Sequence, residues 1–375
     1  MPDVVAVDLP AGQAFVDALQ QAWARGDAVL PVDQRLPRPA VDRLLDALRP
    51  TTVVDRDGSH PRTDGLPVAD GDALVVATSG TAGEPKGVVL THAAVEASAL
   101  ASSRRLAVDP AVDRWLACLP LAHIGGLSVL TRAIATGTPY TLLERFDADA
   151  VAREARAGAT RVSLVATALR RADTRGYRTV LLGGAAPPQE LPDNVVTTYG
   201  MTETGSGVVY DGVPLDGVEL RIGDGALAAD GEVLVRGPML MRAYRDGTDP
   251  RLPGGWLPTG DAGSLDEHGT LSVFGRTAEV IVTGAEKVWP SAVETVLARH
   301  PGVAEVAVWK RPDPEWGERV VAWVVPADVS EPPALESLRA TVAEQIAPWA
   351  APKELVLVAI LPRTSSGKVQ RSRLS

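Results

Sequence analysis

A short apolar strand, Ala73 to Ala77, runs without a break into Thr78-Ser79-Gly80-Thr81-Ala82-Gly83-Glu84-Pro85-Lys86-Gly87, and Val88-Val89-Leu90 resumes as strand on the far side. Glycines and small hydroxyls between two strands let backbone amides close around phosphate oxygens, and a single lysine adds a point charge. A Walker loop would need Gly at 85 and Ser or Thr at 87, where this chain has Pro85 and Gly87. The loop is therefore a phosphate cradle of another kind, with a flexible glycine-rich turn as its bland alternative. Lysine is scarce enough to make the point: Lys86, Lys287, Lys310, Lys353 and Lys368 are the only lysines among 37 basic residues.

The rest of the chain alternates. Residues 11–25 and 40–48 space apolar side chains at helical intervals, so the start reads as helix, loop, helix; 51–71 reads as loop or short strand. Thr91 is the expected N-cap of an alanine-rich helix through Arg105. Strand-like runs recur at 115–119, 162–165 and 179–182 with helical segments between, which argues for an α/β layer structure. From 217 to 237 the pattern turns to short strands, as in a small β subdomain. The last hundred residues read as a separate α+β unit: a hairpin over EVIVTGAEKVW, a helix opened by Pro290 and ending near His300, strands at 303–310 and 319–325, a helix over 334–346 and a strand over 354–360. The boundary falls at Gly275–Arg276, giving domains 1–275 and 276–375.

With 375 residues, 45% of them hydrophobic, the chain can bury two cores. A formal charge of −10 gives no global attraction to nucleic acid or anionic membrane. A single cysteine, Cys118, excludes an internal disulfide framework and reads as a small buried apolar residue. Met1 to Pro10 carries acids where a signal peptide carries bases, and no apolar run is long enough to span a bilayer, so a cytoplasmic protein is expected.

Further motifs follow the loop in order: GGAAP at 183–187, YGMTE at 199–203, TGD at 259–261, GR at 275–276 and PRTSSGK at 362–368. Tyr199 offers a flat ring for a base, Thr202 a hydroxyl for a phosphate, Glu203 an oxygen ligand for Mg²⁺, and Asp261 a carboxylate for ribose hydroxyls. Taken singly, Tyr199 reads as a core aromatic, Glu203 as a surface acid, and Arg276 and Lys368 as solvated charges. As an ordered set the motifs resemble the acyl-adenylate-forming superfamily of acyl-CoA synthetases, peptide-synthetase adenylation domains and firefly-type luciferases.

That resemblance implies a large N-terminal α/β domain with stacked sheets and a small β subdomain, followed by a smaller mobile C-terminal α+β domain. It implies ATP and Mg²⁺, with Glu203 as metal ligand. ATP would be bound by Thr78, Ser79, Gly80, Thr81, Lys86, Gly184, Ala185, Ala186, Tyr199, Gly200, Thr202, Asp261 and Arg276. Catalysis would rest on Lys368, Thr202, Glu203 and His123. The P-L-x-H-I-x-G-L-S pattern at 120–128 resembles o-succinylbenzoate-CoA ligases of menaquinone biosynthesis, which implies an acyl pocket lined by His123, Gly126, Ser128 and Gly205, with CoA as co-substrate. On residue type alone, His123 reads as a satisfied core histidine. Three departures stand out: Ala278 where the family has a hinge Asp or Lys, Ala285 where it has a second glycine, and Ser206-Gly207 after YGMTETG.

The expected reaction is attack of a carboxylate on the α-phosphorus of ATP, loss of pyrophosphate, and displacement of AMP by a thiol. A ligase for another aromatic or medium-chain acid, or a non-catalytic nucleotide-binding relative, is the competing expectation. The partners implied are a small carboxylic acid, ATP and CoA, with no nucleic acid and no membrane span; a homodimer stays open.

Overall fold

The computed structural model describes residues 1–79, 85–188, 190–223, 231–363 and 369–374. The chain divides into two compact units, one of Met1–Leu220, Leu234–Leu257 and Glu267–Leu271, the other of Arg221–Val233, Pro258–Asp266 and Ser272–Ser375.

The first unit holds two seven-stranded sheets. In the first, strands Val4–Val7, Ala28–Pro31, Thr52–Asp55 and Asp72–Ser79 run parallel, and Gly58–Pro61, Pro85–Thr91 and Ala243–Tyr244 are antiparallel additions. The second is parallel through Trp115–Ala117, Tyr140–Leu142, Arg161–Leu164, Thr179–Leu182 and Val195–Met201, then closes with antiparallel Ser206–Tyr210 and Val213–Pro214. Here the opening differs from the helix, loop, helix reading. The helices Gln13–Ala24 and Arg38–Leu48 are present, but Val4–Val7 and Ala28–Pro31 are fully buried strands beside them. Four apolar residues in a row, buried on both faces, carry no period of two to detect.

Local signals account for the helices. Thr91 Oγ1 accepts from Ala94 N at 3.1 Å, capping His92–Arg105, a bond worth about 1 kcal/mol. Asp147 Oδ1 caps Ala148–Arg156 in the same way at 2.6 Å. Gly137, at φ 66°, ends Ile124–Thr136 in the left-handed region that glycine adopts without strain. Val41, Leu44, Leu45 and Leu48, one face of Arg38–Leu48, bury against Val4, Ala6, Leu30, Val75 and Val89 of the first sheet.

Two charge pairs pin distant segments. Asp72, with no exposed surface, takes both Nε and Nη2 of Arg242 at 2.8 Å. Asp113 is equally buried and holds Arg161 at 2.9 Å and Arg178 at 3.1 Å. Removing one partner would strand a buried charge.

The short strands expected over 217–237 form Glu219–Ile222 and Gly231–Arg236, which join Leu257–Leu265 and Leu271–Arg276 in a four-stranded sheet. The second unit builds its own core on the long hairpin Val303–Asp313 and Gly317–Pro326. Pro290–Leu297 and Leu335–Gln345 supply Val293, Leu297, Leu338 and Val342 to that core. The expected hairpin is present as Ile281–Thr283 and Glu286–Val288, turning at Gly284 (φ 60°) and Ala285 (φ 68°). Two positive φ values in a two-residue loop make it a type I′ turn.

Among the described residues no helix is long and apolar enough to cross a membrane.

Candidate active site

The phosphate-loop strands form a hairpin ladder in which Thr78 pairs with Lys86 and Ser79 with Pro85. Gly80, Thr81 and Lys368 lie outside the described residues. Gly87 has a packing reason to be glycine: a Cβ there would stand 2.9 Å from Val75 and 3.0 Å from Leu48. Lys86 leaves this ladder with its ammonium 5.1 Å from the ring centroid of Tyr244, and the Tyr244 hydroxyl donates to Glu203 Oε1 at 2.9 Å. Burial, then the neighbouring Glu203 carboxylate, push the Tyr244 phenol well above its ordinary range, so it stays a donor.

Tyr199 and Gly200 lie on Val195–Met201, where the register against Ser206–Tyr210 shifts between them. A Cβ at Gly200 would collide with Ser206 O and Gly207 Cα, which explains that glycine. Thr202 then opens the 3₁₀ turn Thr202–Thr204, and Gly205 ends it at φ 70°. Glu203, 8% exposed, is held by its backbone as well, its carbonyl accepting from Met241 N at 2.8 Å.

A cavity of about 130 Å³ opens beside this segment. Its walls are Leu119, Ile124, Gly125, Ser128 and Arg132 on one side, Gly183 and Gly184 on another, and Thr198, Gly200, Met201, Ser206, Gly207 and Tyr210 on a third. Ser206 Oγ lies 2.7 Å from Ser98 Oγ, and a Cβ at Gly207 would stand 2.9 Å from the Tyr210 ring, so small residues there are what leave the space open. Gly184, Gly200 and Ser128 of the predicted set meet on this cavity. Ala185 and Ala186 follow Gly184 as exposed residues, Gly126 packs tightly on Pro120 O, and Gly205 faces Met239 O and Ser98 rather than the cavity.

Arg132 was not singled out by sequence reasoning. It is 2% exposed, donates from Nε to Ser102 Oγ at 2.7 Å, and lays its guanidinium 4.9 Å from the Trp115 ring centroid. Among the described residues its Nη1 is buried without a hydrogen-bond partner. A guanidinium is a group that pairs readily with carboxylates. The available signal was an arginine inside the apolar run IGGLSVLTRAIAT.

His123 does not line the cavity. Its Nε2 lies 2.7 Å from Arg35 Nη2 and 3.3 Å from Asp33 Oδ2. A guanidinium can only donate, so Nε2 accepts and the ring proton rests on Nδ1. Asp33 in turn takes Arg35 Nε at 2.9 Å and Nη2 at 2.7 Å. Burial raises the Asp33 carboxyl, but the bonds from Arg35 outweigh it and hold the group well below the usual carboxylate range.

In the second unit Asp261, 8% exposed, meets Arg276: Arg276 Nε is 3.0 Å from Asp261 Oδ1, and its Nη1 donates to Thr259 O at 2.9 Å. Thr277 Oγ1 donates to Gly260 O, so the 3₁₀ turn Thr277–Glu279, which contains Ala278, starts tied to the TGD segment.

The AMP-binding enzyme family matches residues 57–245, and the AMP-binding enzyme C-terminal domain matches 292–368. The chain belongs to the AMP-binding enzyme family. It is 39% identical over 400 residues to a probable 2-succinylbenzoate--CoA ligase of Mycobacterium tuberculosis, covering 98% of this chain and 97% of the relative. Among solved structures, the o-succinylbenzoate CoA synthetase of Bacillus subtilis in complex with its acyl-adenylate intermediate is 28% identical with TM-score 0.87, covering 100% of this chain and 88% of that one. The same enzyme with ATP and a magnesium ion gives TM-score 0.86 at 28% identity, over 99% and 89% of the two chains.

Glu203 is the residue of the predicted set that bears on the fit to Mg²⁺. Among the described residues no group of three or more His, Cys, Asp or Glu could hold a metal ion. Glu203 is a single largely buried carboxylate whose Oε1 accepts from Tyr244. Mg²⁺ suits such a site, because it takes one or two carboxylates and completes its octahedron with phosphate oxygens and water.

Proposed function

We propose that this AMP-forming ligase activates 2-succinylbenzoate as its acyl-AMP and transfers the acyl group to CoA, in the cytoplasm, within menaquinone biosynthesis. The observation that carries the substrate is the cavity with Arg132 on its wall: the acid has two carboxylates, one to be adenylated and one to be held. The Arg132 guanidinium on that wall would pair with the second. The relatives named for this substrate support the same reading.

A carboxylate is a poor electrophile, so activation must convert one oxygen into part of a leaving group. Lys86 and Lys368 offset charge on the phosphoryl oxygens and Thr202 donates to them, each interaction worth a few kcal/mol in a water-poor site. Mg²⁺, when bound, would supply further charge neutralisation at the phosphates. Glu203 holds that ion, Tyr199 stacks on the adenine beside Gly184–Ala186, and Gly200 keeps the backbone low under the base. Asp261 accepts from the ribose hydroxyls, with Arg276 fixing its orientation. Ser128 lines the acyl chamber, while Gly126 and Gly205 shape it through backbone packing; His123, off the cavity, stands against Arg35 and Asp33. The domain 276–375 turns about the segment from Arg276 to Glu279 between the half-reactions.

The test is incubation with ATP, Mg²⁺, CoA and 2-succinylbenzoate, with detection of AMP and the thioester by mass. The acid lacking the ring carboxylate should react at least 10²-fold less efficiently, and Arg132→Met should erase that preference. Equal use of both acids by the unaltered enzyme would refute the assignment of Arg132. No thioester from either would refute the substrate.

A further inference from the structure

Tyr244 is absent from every motif the sequence suggested, yet it touches two of the groups assigned to the polyphosphate. Its backbone belongs to the same sheet as Lys86: Ala243–Tyr244 pairs antiparallel with Pro85–Thr91, Tyr244 opposite Val88, and Arg245 N donates to Gly87 O at 2.7 Å. Its side chain crosses to Glu203. The ring lies under the Lys86 ammonium, and the hydroxyl donates to Glu203 Oε1.

Among the described residues Lys86 and Glu203 form no ion pair with each other; each instead contacts the same phenol. Its face attracts the ammonium through the ring quadrupole, and its O–H occupies one oxygen of the carboxylate. Both groups are steered without being neutralised. The second carboxylate oxygen, Oε2, is left for a cation, and the ammonium is left for phosphate. Hydrogen bonds of this outer kind set the orientation of metal-binding carboxylates, and their loss typically costs 10- to 100-fold in metal affinity.

We infer that Tyr244 is a positioning residue that holds Glu203 and Lys86 apart and aimed, so that the enzyme binds Mg²⁺–ATP in preference to free ATP. This rests on the reading of Glu203 as the metal ligand.

The experiment is calorimetric titration of ATP into the unaltered protein, Tyr244→Phe, Tyr244→Leu and Glu203→Gln, once with excess Mg²⁺ and once with EDTA. The quantity read is the ratio of the two affinities, which needs no turnover. Tyr244→Phe keeps the ring and loses only the hydroxyl. It should shrink the Mg²⁺-dependent ratio by about tenfold while leaving affinity in EDTA within roughly twofold. Tyr244→Leu should shrink the ratio similarly and also weaken binding in EDTA, because Lys86 loses its ring. An unchanged ratio in Tyr244→Phe, or an equal loss with and without Mg²⁺, overturns the proposal. Glu203→Gln separates the two levels: if it keeps the full ratio, Glu203 is not the ligand, and if it abolishes a ratio that Tyr244→Phe preserves, only the role of Tyr244 falls.

Discussion

Arg371 donates through Nη2 to both carboxylate oxygens of Glu294 at 2.8 Å, and its Nη1 lies 3.0 Å from Glu279 Oε2. One guanidinium thus ties the last turn of the chain, three residues after Lys368, to the helix Pro290–Leu297 and to the segment Thr277–Glu279. Arg371→Ala should lower stability by about 2 kcal/mol. That is less than for a fully buried pair, because the two side chains keep 19% and 20% of their exposure. Denaturant titration measures it. Adenylation, followed by pyrophosphate release, should fall more than thioester formation from preformed acyl-AMP; equal loss in both would separate Arg371 from the anchoring of Lys368.

The turn residue Ala285 sits at φ 68°, where a Cβ costs roughly 1–2 kcal/mol. Ala285→Gly removes that strain but loosens the unfolded chain by about 0.4–1 kcal/mol, so a net gain of up to about 1 kcal/mol is expected. Gly284→Ala should do the reverse, since its Cβ would stand 2.5 Å from the Trp316 ring. Thermal melting of both variants checks the opposite signs.

Burial pushes the Cys118 thiol up to about 12, and the side chain is 1% exposed. The native protein should therefore leave a disulfide reagent unreacted at pH 8, and release one equivalent only after denaturation. Prompt reaction in the folded state would contradict the packing of the strand Trp115–Ala117 and its neighbour.

Asp33 is held below its ordinary pKa in the folded chain, so the stability it contributes is present above its unfolded value and is lost as pH falls through the lower folded one. The melting-temperature gap between the unaltered protein and Asp33→Asn should be constant near neutrality and narrow below about pH 4. A gap that is flat across acid pH would show that the carboxylate is not what Arg35 stabilises.

What could be read from the residues followed from chemistry that is local in sequence. Thr91 caps because its hydroxyl reaches an amide three residues on, Pro290 opens a helix because it lacks a hydrogen to waste, and Gly284-Ala285 turns between Ile281–Thr283 and Glu286–Val288. The motif residues were legible because their order along the chain is itself information. Arg132 and Tyr244 were not. Arg132 acquires its meaning from Trp115 and Ser102 on other elements, and Tyr244 from Glu203 and Lys86, 41 and 158 positions away. The strands Val4–Val7 and Ala28–Pro31 escaped for a different reason, since burial on both faces leaves no alternation to count.

The bond between Asp72 and Arg242 spans 170 positions, and the strand beside Arg242 seals the edge of the hairpin that carries Lys86. A ribosome making this protein therefore releases the Lys86 hairpin long before its cover is synthesised. Until then that sheet edge stays unsealed, and Asp72 waits for its counter-charge. Completion of this sheet is thus a late event of the nascent chain, out of reach for any product that stops short of residue 245.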